Sequence, residues 1–480
     1  MGEPEAERGN GRFLTDGLLV ALFVFVVFEV SINTVWATDH ATSLTQLAYA
    51  LLANHSVALG QASSTPPWTV DNFHYEGQNY SALAPGSAFL ALPFMAVGFA
   101  LAGGYTAYGP ALVWSGTFVS LTGAIAALLV YKIAGMYFKR STSIFLGVAF
   151  AFSTIAWPFA TYFFQSDVSA MLVLASAYFA LRAGRTEGVA FAPTLACGLA
   201  AGAAFTVDYV DAVIVPILIA FLIVRKWGSR RSLVGTVVVF ILGLVPGFAA
   251  IGAYNFAIFG TPFMITEQAY VGQSVFGKFS TPVQYGLALN LVSLSRGLLA
   301  FAPLSVLGFM GYYDALRTKK VRTEMLLMLA IFLGILLPYS AWYDPTGGLS
   351  FGPRFIVPAI PFLLLPAGLI VEQARGYRLL LVYALYAAGA VINGMAAFVT
   401  AVPPSTGFDV SPLTTYIIPN FQAGNFDSLW ASLLVHPWYV GGALVAALGV
   451  AAPLVWVDAV RRSSGQRGAT EQEIPPEREV

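Results

Sequence analysis

Long apolar stretches separated by short polar ones dominate the chain, and no period-two alternation runs through them. A helix needs about 20 mainly apolar residues to cross a roughly 30 Å hydrocarbon core, where only helices and closed barrels satisfy every backbone polar group. On that basis about twelve transmembrane helices are expected, at 15-36, 110-131, 143-162, 168-181, 189-207, 211-224, 232-253, 298-313, 324-341, 355-371, 379-400 and 437-457. The expected fold class is therefore all-α and polytopic. Two segments stand apart from this series. In 41-53, Leu44, Leu47, Ala48, Leu51 and Leu52 recur at i, i+3, i+4, i+7 and i+8, which predicts an amphipathic helix lying flat on the bilayer surface. Residues 82-102 are apolar and almost long enough to cross.

Composition points the same way: 58% hydrophobic residues and 10% charged, with a mean hydropathy of +0.74, exclude a water-soluble globule. Formal net charge is zero and no basic cluster is interleaved with aromatics, so nucleic acid is not an expected partner. Cys197 is the single cysteine and lies in an apolar run, which excludes an internal disulfide and a cysteine metal site. No short apolar stretch with a small-residue cleavage site precedes the first run, which reads as a retained anchor.

Cytoplasmic loops keep basic residues during insertion and translocated loops lose them. With the N-terminus inside, 21 of the 24 Lys and Arg residues fall on the cytoplasmic side, and only Lys278, Arg296 and Arg354 lie outside. If 82-102 also crossed, every basic loop from Lys132 onward would become external. The segment is therefore read as dipping into the outer leaflet. The alternative, thirteen spans with the N-terminus outside, turns 37-81 into a cytoplasmic loop without Lys or Arg. The expected organisation is a cytoplasmic tail at 1-14, a transmembrane domain at 15-457 and a disordered cytoplasmic tail at 458-480. External loops are expected at 37-109, 254-297, 342-354 and 401-436. Such a chain belongs in the cell membrane as a multi-pass protein with both termini cytoplasmic.

The first external loop gathers Asp39, His40, His55, Asp71, His74 and Glu76, with Tyr80 nearby. Asp39 and Asp167 each stand at a predicted helix start, where an acid also serves as an N-cap or meets the helix dipole. Asp344 sits in a Tyr-Asp-Pro-Thr-Gly-Gly turn. Asp208 and Asp211 share one helix face at an external boundary, Glu29 falls inside the first span, and His436 is also placed outside. Asp39, His40 and His74 lack a diagnostic metal spacing and read as ordinary loop residues. The three outlying basic residues need a reason to be there. An outer face that binds phosphate supplies one, since a guanidinium stays charged and grips phosphate oxygens in a bidentate fork.

At three places the residues resemble the GT-C membrane glycosyltransferases, specifically the bacterial and archaeal branch of the PMT/ArnT-like group. They are FHYEGQNYSALAPGSAFLALP (73-93), FATYFFQSDVSAML (159-172) and WYDPTGGLSFGPRFIVPAIPFLLLP (342-366), with YNFAIFGTPF (254-263) and SLSRGLLAFAPL (293-304) agreeing more weakly. The resemblance implies transfer of a sugar from a polyprenyl-phosphate donor to a lipid, glycan or protein acceptor at the external face, among membrane lipids. It implies that Asp39 and Asp167 are the catalytic acids, and that Arg354, aided by Arg296 and Lys278, holds the donor phosphate. His40, Asp71, His74, Glu76, Tyr80, Asp208 and Asp344 are the candidates for contacting sugar or acceptor. No cofactor is required by this pattern; a divalent cation, Mg or Mn, would rest on Asp39 and Asp167. One departure stands out: Leu83 occupies the place before Ala84-Pro85 where relatives often have Lys.

A transporter or flippase of a lipid-linked or amphipathic solute is the alternative from another class, and a catalytically silent relative is a third. Transporters place ionisable residues near the midplane on broken helices within paired repeats. Here the acids collect at one membrane face, which favours a one-sided enzyme.

Overall fold

The computed structural model describes residues 4–33, 38–59, 69–104, 108–271, 275–317, 321–348, 350–404 and 410–428. The expected span 437-457, His436 and the tail 458-480 lie outside the described residues. Helix α1 (Pro4–Val30) already begins within the polar leader, and Glu29 stands one residue before its end, not in the middle of a span. There the Thr117 hydroxyl donates to Glu29 Oε2 at 3.2 Å.

Helix α2 (Asp39–Ala53) forms where the 3.6-residue pattern places it, with Thr38 as N-cap accepting from the Ala41 amide. Its apolar face is turned into the protein. Leu44, Leu47 and Ala48 are fully buried in a satellite core with Met95 and Phe99, so its apolar face is used up inside the protein. A hairpin that the hydrophobic pattern did not signal follows: β1 (Asn72–Tyr75) pairs antiparallel with β2 (Gln78–Ser81). Its two-residue turn is Glu76-Gly77, both at positive φ (46° and 79°), as a type I′ turn requires. The hairpin is tied to α2 by Ser43, whose hydroxyl donates to the Asp71 carbonyl and pairs with Ser81. Asn72 adds a 2.7 Å bond to Gln46. The ambiguous stretch 82-102 is helix α3 (Gly86–Leu101).

The bundle proper comprises α4 (Tyr108–Ala134), α5 (Arg140–Phe152), α6 (Ala156–Phe159), α7 (Gln165–Arg185), α8 (Phe191–Val207), α9 (Ile214–Lys226) and α10 (Arg230–Phe259). Its most extensive helix pairing, α8 with α10, uses a G-x-x-x-G spacing on each partner: Gly198 and Gly202 face Gly243 and Gly247. A Cβ on Gly247 would stand 2.3 Å from the Gly202 backbone, and one on Gly198 2.2 Å from the Phe240 carbonyl. Small residues let helix backbones approach this closely, which matters where lipid supplies no hydrophobic drive. Gly247→Leu is therefore expected to wedge the pair apart and lower the thermal midpoint in detergent, at a cost of about 1–3 kcal/mol or more. An unchanged midpoint would contradict the close approach.

The remaining helices are α11 (Thr266–Val271), α12 (Val283–Leu291), α13 (Leu298–Phe301), α14 (Val306–Arg317), α15 (Arg322–Ala341), α16 (Ile360–Leu364), α17 (Gly368–Gln373), α18 (Tyr377–Val399) and α19 (Ile418–Ala423). Pro303 opens a 3-10 turn inside the expected span 298-313. Pro358, Pro361 and Pro366 turn the expected span 355-371 into alternating 3-10 and α turns, since each proline removes a backbone donor, yet Arg354–Gln373 stays long and apolar enough to cross a membrane. Among the described residues, six helices are long and apolar enough to cross a membrane, half the number expected for the whole chain.

Basic residues collect at one end of this bundle. Arg140 at the start of α5 makes a bidentate pair with Asp16 of α1. Lys139 lies 3.9 Å from Glu372 of α17, and Arg225 of α9 lies 3.5 Å from Glu324 of α15. Arg225 also donates to the Gly184 carbonyl near the end of α7. Basic residues at these helix ends thus tie α1 to α5, α5 to α17, and α9 to both α7 and α15.

Candidate active site

At the other end of the same helices a small polar cleft opens. Helix α7 runs from Gln165 at the cleft to Arg185 in the basic layer, and α15 runs the opposite way, from Arg322 to Tyr339. The cleft is lined by His40, Gln165, Ser166, Asp208 and Arg354, with Phe355 and Pro358 as its apolar wall. Four chain segments line it: the start of α2, the start of α7, the end of α8 and the 3-10 turn that Arg354 opens.

His40 is the second residue of α2 and is buried, its ring 5.2 Å from that of Phe164. Its Nδ1 stands 3.4 Å from Asp71 Oδ2, and its Nε2 stands 3.2 Å from Gln165 Oε1. The amide of Gln165 then donates to Asp208 Oδ2 at 3.1 Å. Asp208 ends α8 and caps the 3-10 turn that follows, where its Oδ1 accepts the Val210 amide at 3.0 Å. The Tyr339 hydroxyl donates to the same Oδ2 at 2.5 Å, and its ring stacks on Phe355 at 4.6 Å. A continuous polar chain therefore runs Asp71, His40, Gln165, Asp208, Tyr339.

Burial holds the His40 imidazole below its ordinary range against the opposing pull of Asp71, and the Arg354 charge pushes it down further. The ring is thus neutral near neutral pH. Burial alone would raise the Asp71 carboxyl, but contact with His40 and the positive charge of Arg354 outweigh it and hold the group low. Burial pushes the Asp208 carboxyl up against its three hydrogen bonds.

Arg354 opens a 3-10 turn after Pro353. Its guanidinium lies 4.8 Å from the Phe164 ring and 5.2 Å from that of Phe355, yet it makes no hydrogen bond to any described residue. Gly347, at φ 87°, leaves room for it, because a Cβ there would come 3.1 Å from Arg354 Nε. A cation with its donors uncommitted, in a cleft with aromatic walls, is prepared for an anion.

The other expected site residues are dispersed. Asp39 is exposed, and its Oδ1 accepts the Val70 amide at 3.2 Å. Asp167 is fully buried, neither of its carboxylate oxygens meets a hydrogen-bond partner among the described residues, and it does not line the cleft. Two residues apart on α7, Gln165 and Asp167 point to opposite sides, because each residue turns a helix by about 100°. The described residues include no group of three or more His, Cys, Asp or Glu that could hold a metal ion. Arg296 is buried and spends its Nη1 on the Gly348 and Ser350 carbonyls. Lys278 places its ammonium 3.7 Å from the centre of the Tyr343 ring. Asp344 holds a turn, accepting from Thr346 through Oδ1. His74 and Glu76 are exposed on the hairpin, where His74 pairs with Asn79 across the strands. Tyr80 is buried against Phe73. Of the twelve side chains expected at the site, His40, Asp71, Asp208 and Arg354 come together.

Gln165 and Tyr339 complete the site without having been singled out. Glu267 of α11 is a third such residue: burial pushes its carboxyl up to about 7, with Lys278 pulling the other way, and it interacts electrostatically with Asp208 and Asp71.

Comparison with known proteins places this architecture. A family model described as dolichyl-phosphate-mannose-protein mannosyltransferase matches residues 94–253, about a third of the chain. The structure of ArnT from Cupriavidus metallidurans bound to undecaprenyl phosphate is 18% identical and superposes with a TM-score of 0.56, covering 97% of this chain and 82% of that one. The Archaeoglobus fulgidus oligosaccharyltransferase in its apo form is 12% identical with a TM-score of 0.56, covering 82% of this chain and 57% of its own. The same organism's AglB, in complex with an inhibitory peptide and a dolichol-phosphate, is 14% identical with a TM-score of 0.53, covering 82% of this chain and 56% of its own. No curated protein sequence matches significantly. The chain is a multi-pass membrane protein with the fold of the GT-C glycosyltransferases. Within that fold its similarity to ArnT spans nearly the whole chain, whereas the archaeal enzymes extend well beyond it.

Proposed function

We propose that this protein is a glycosyltransferase that moves a sugar from a polyprenyl-phosphate donor to a hydroxyl- or amine-bearing acceptor at the external face of the cell membrane. The observation that carries the proposal is Arg354, whose guanidinium has no hydrogen-bond partner among the described residues and faces a cleft it shares with His40 and Asp208. Two structures of the same fold were solved with an undecaprenyl phosphate or a dolichol-phosphate bound, which supports a lipid-phosphate ligand for the corresponding cleft here. The cleft's position opposite the basic layer supports an external site, because basic helix ends mark the cytoplasmic side.

The chemistry follows from the residues. Bond cleavage at the anomeric carbon leaves negative charge on the carrier phosphate, and a fixed guanidinium in a water-poor cleft stabilises that charge more than water would. Gln165, Ser166 and Asp208 are the uncharged and acidic polar groups that line the cleft and can meet sugar hydroxyls. The test is purification followed by mass spectrometry of co-bound lipid and a donor-turnover assay. Recovery of a polyprenyl phosphate together with donor consumption is expected; bulk phospholipid alone and no turnover would reject the assignment.

A further inference from the structure

On the Asp208 side of the cleft two stretches distant in the chain are clamped together. The Thr281 amide donates to the Ala341 carbonyl at 3.1 Å, where α15 ends, and Phe279 meets Trp342 edge-on with ring centres 5.2 Å apart. Tyr343 comes next in the chain. It follows Tyr339, whose hydroxyl donates to Asp208, and the four residues between them reach at most about 14 Å, so Tyr343 stands beside the cleft. Helix α11 is tied to the same wall. Its Thr266 hydroxyl pairs at 3.1 Å with that of Tyr209, the residue after Asp208, and donates to the Ala82 carbonyl at 3.0 Å.

Lys278 sits within this rim. Its ammonium is 3.7 Å from the centre of the Tyr343 ring and 6.0 Å from that of Tyr270, and it makes no ion pair or hydrogen bond with a described residue. The faces of aromatic rings hold an ammonium by electrostatics and leave its three N–H donors for another partner. Tyr270, Phe279 and Tyr343 are exposed. Glu267, half-buried on α11, lies within electrostatic reach of Lys278, Asp208 and Asp71, which puts its carboxyl between the rim and the cleft. On the external side, where basic residues are disfavoured, Arg354 faces the cleft and Arg296 is spent on carbonyls. Lys278 serves neither purpose.

We propose that this rim is the acceptor subsite and that it takes an acidic glycan, a uronic-acid sugar whose carboxylate pairs with Lys278, whose C–H face packs against the exposed side of the Tyr343 ring and whose hydroxyls reach Glu267. This rests on the transferase reading given above. A pyranose has an apolar face of C–H bonds and a polar edge, which matches a tyrosine with an apolar ring and a wet hydroxyl. Charge selects among glycans. A neutral sugar leaves the ammonium unanswered. A phosphate dianion would meet Glu267, Asp71 and Asp344, all within electrostatic reach of Tyr343, and like charges brought together are costly. A carboxylate, with a single negative charge, matches the single cation.

The experiment uses full-length protein in lipid nanodiscs and measures, by calorimetry, binding of tri-galacturonate, of its methyl ester, which keeps every ring and removes every charge, and of inorganic phosphate. Wild type is expected to bind the acid saturably, and the ester about tenfold or more weakly, the loss of a charge-assisted contact. Lys278→Gln should bring the acid down to the affinity of the ester. Tyr343→Ala should weaken acid and ester alike, by about threefold or more. Both side chains are on the rim, so thermal midpoints should stay at the wild-type value. Saturation with undecaprenyl phosphate should leave acid binding in place, because the carrier phosphate belongs to Arg354. The proposal is overturned if the ester binds as well as the acid, if inorganic phosphate at equal concentration displaces the acid, or if Lys278→Gln loses affinity for undecaprenyl phosphate and keeps it for the acid. A wild type that binds carrier and consumes donor but does not bind the acid would overturn the subsite and leave the transferase reading standing. Acid binding without carrier binding or turnover would reject the transferase reading, and the acceptor role with it.

Discussion

Arg354→Ala is expected to lower the rate of sugar transfer by about 10²–10³, the usual loss when a donor that stabilises charge in the transition state is removed. The guanidinium lies in the cleft with His40 and Asp208 and between the rings of Phe164 and Phe355. Those rings fix its plane without using its N–H groups. Because its donors serve no described protein acceptor, removing them leaves no buried carbonyl unpaired, and the variant should fold and insert normally. Arg354→Lys should recover part of the activity: an ammonium restores the charge but not the bidentate fork. The check is steady-state turnover of a polyprenyl-phosphate sugar by wild type and both variants, with thermal midpoints measured in parallel. Equal turnover of wild type and Arg354→Ala would remove Arg354 from the mechanism.

Arg296→Ala is expected to act through architecture and to lose both stability and activity. Arg296 is 2% exposed, and its Nη1 holds the Gly348 carbonyl at 2.9 Å and that of Ser350 at 2.7 Å. The loop it grips contains Gly347, Gly348 and Gly352 at positive φ. Such a run of glycines has high conformational freedom when untied. Removing the guanidinium leaves two carbonyls without their buried donor, at about 1–3 kcal/mol each. Arg354 follows this loop directly, so it should lose its fixed place above Phe164. A thermal midpoint lowered by several degrees, faster proteolysis within 342–354 and loss of turnover are the expected outcomes. Arg296 thus serves the phosphate site by shaping the segment that presents Arg354. A variant with an unchanged midpoint and full activity would contradict this.

The sequence shows the arrangement along the membrane normal better than the arrangement within its plane. Charge placement anticipates that basic helix ends lie on one side, and in the structure such ends are paired with acids, Arg140 with Asp16, Lys139 with Glu372 and Arg225 with Glu324. Helix starts are legible too, which is why Asp39, His40 and Asp167 attract notice together. What a single sequence does not show is the direction a terminal side chain takes. Asp39 turns outward to the Val70 amide while its neighbour His40 turns inward, and Asp167 turns away from the cleft that Gln165 enters. Gln165 and Tyr339 are uncharged residues in apolar surroundings, and their value appears when segments 43 and 131 residues away bring Asp208 to them. The hairpin strands are four residues each, too short to show alternation, although Glu76-Gly77 is a readable turn signal. The paired G-x-x-x-G spacings of α8 and α10 were equally visible as letters, but apolar runs of this kind do not say which helix meets which.

The central claim is that this cleft holds a polyprenyl phosphate through Arg354. Equilibrium binding of a short-chain polyprenyl phosphate to purified wild type, Arg354→Ala and His40→Gln tests it without depending on the identity of sugar or acceptor. The account predicts saturable binding to wild type, retained in His40→Gln and weakened in Arg354→Ala by about tenfold or more, the loss of a charge-assisted hydrogen bond of roughly 1.5–3 kcal/mol. Binding to Arg354→Ala as tight as to wild type would contradict it.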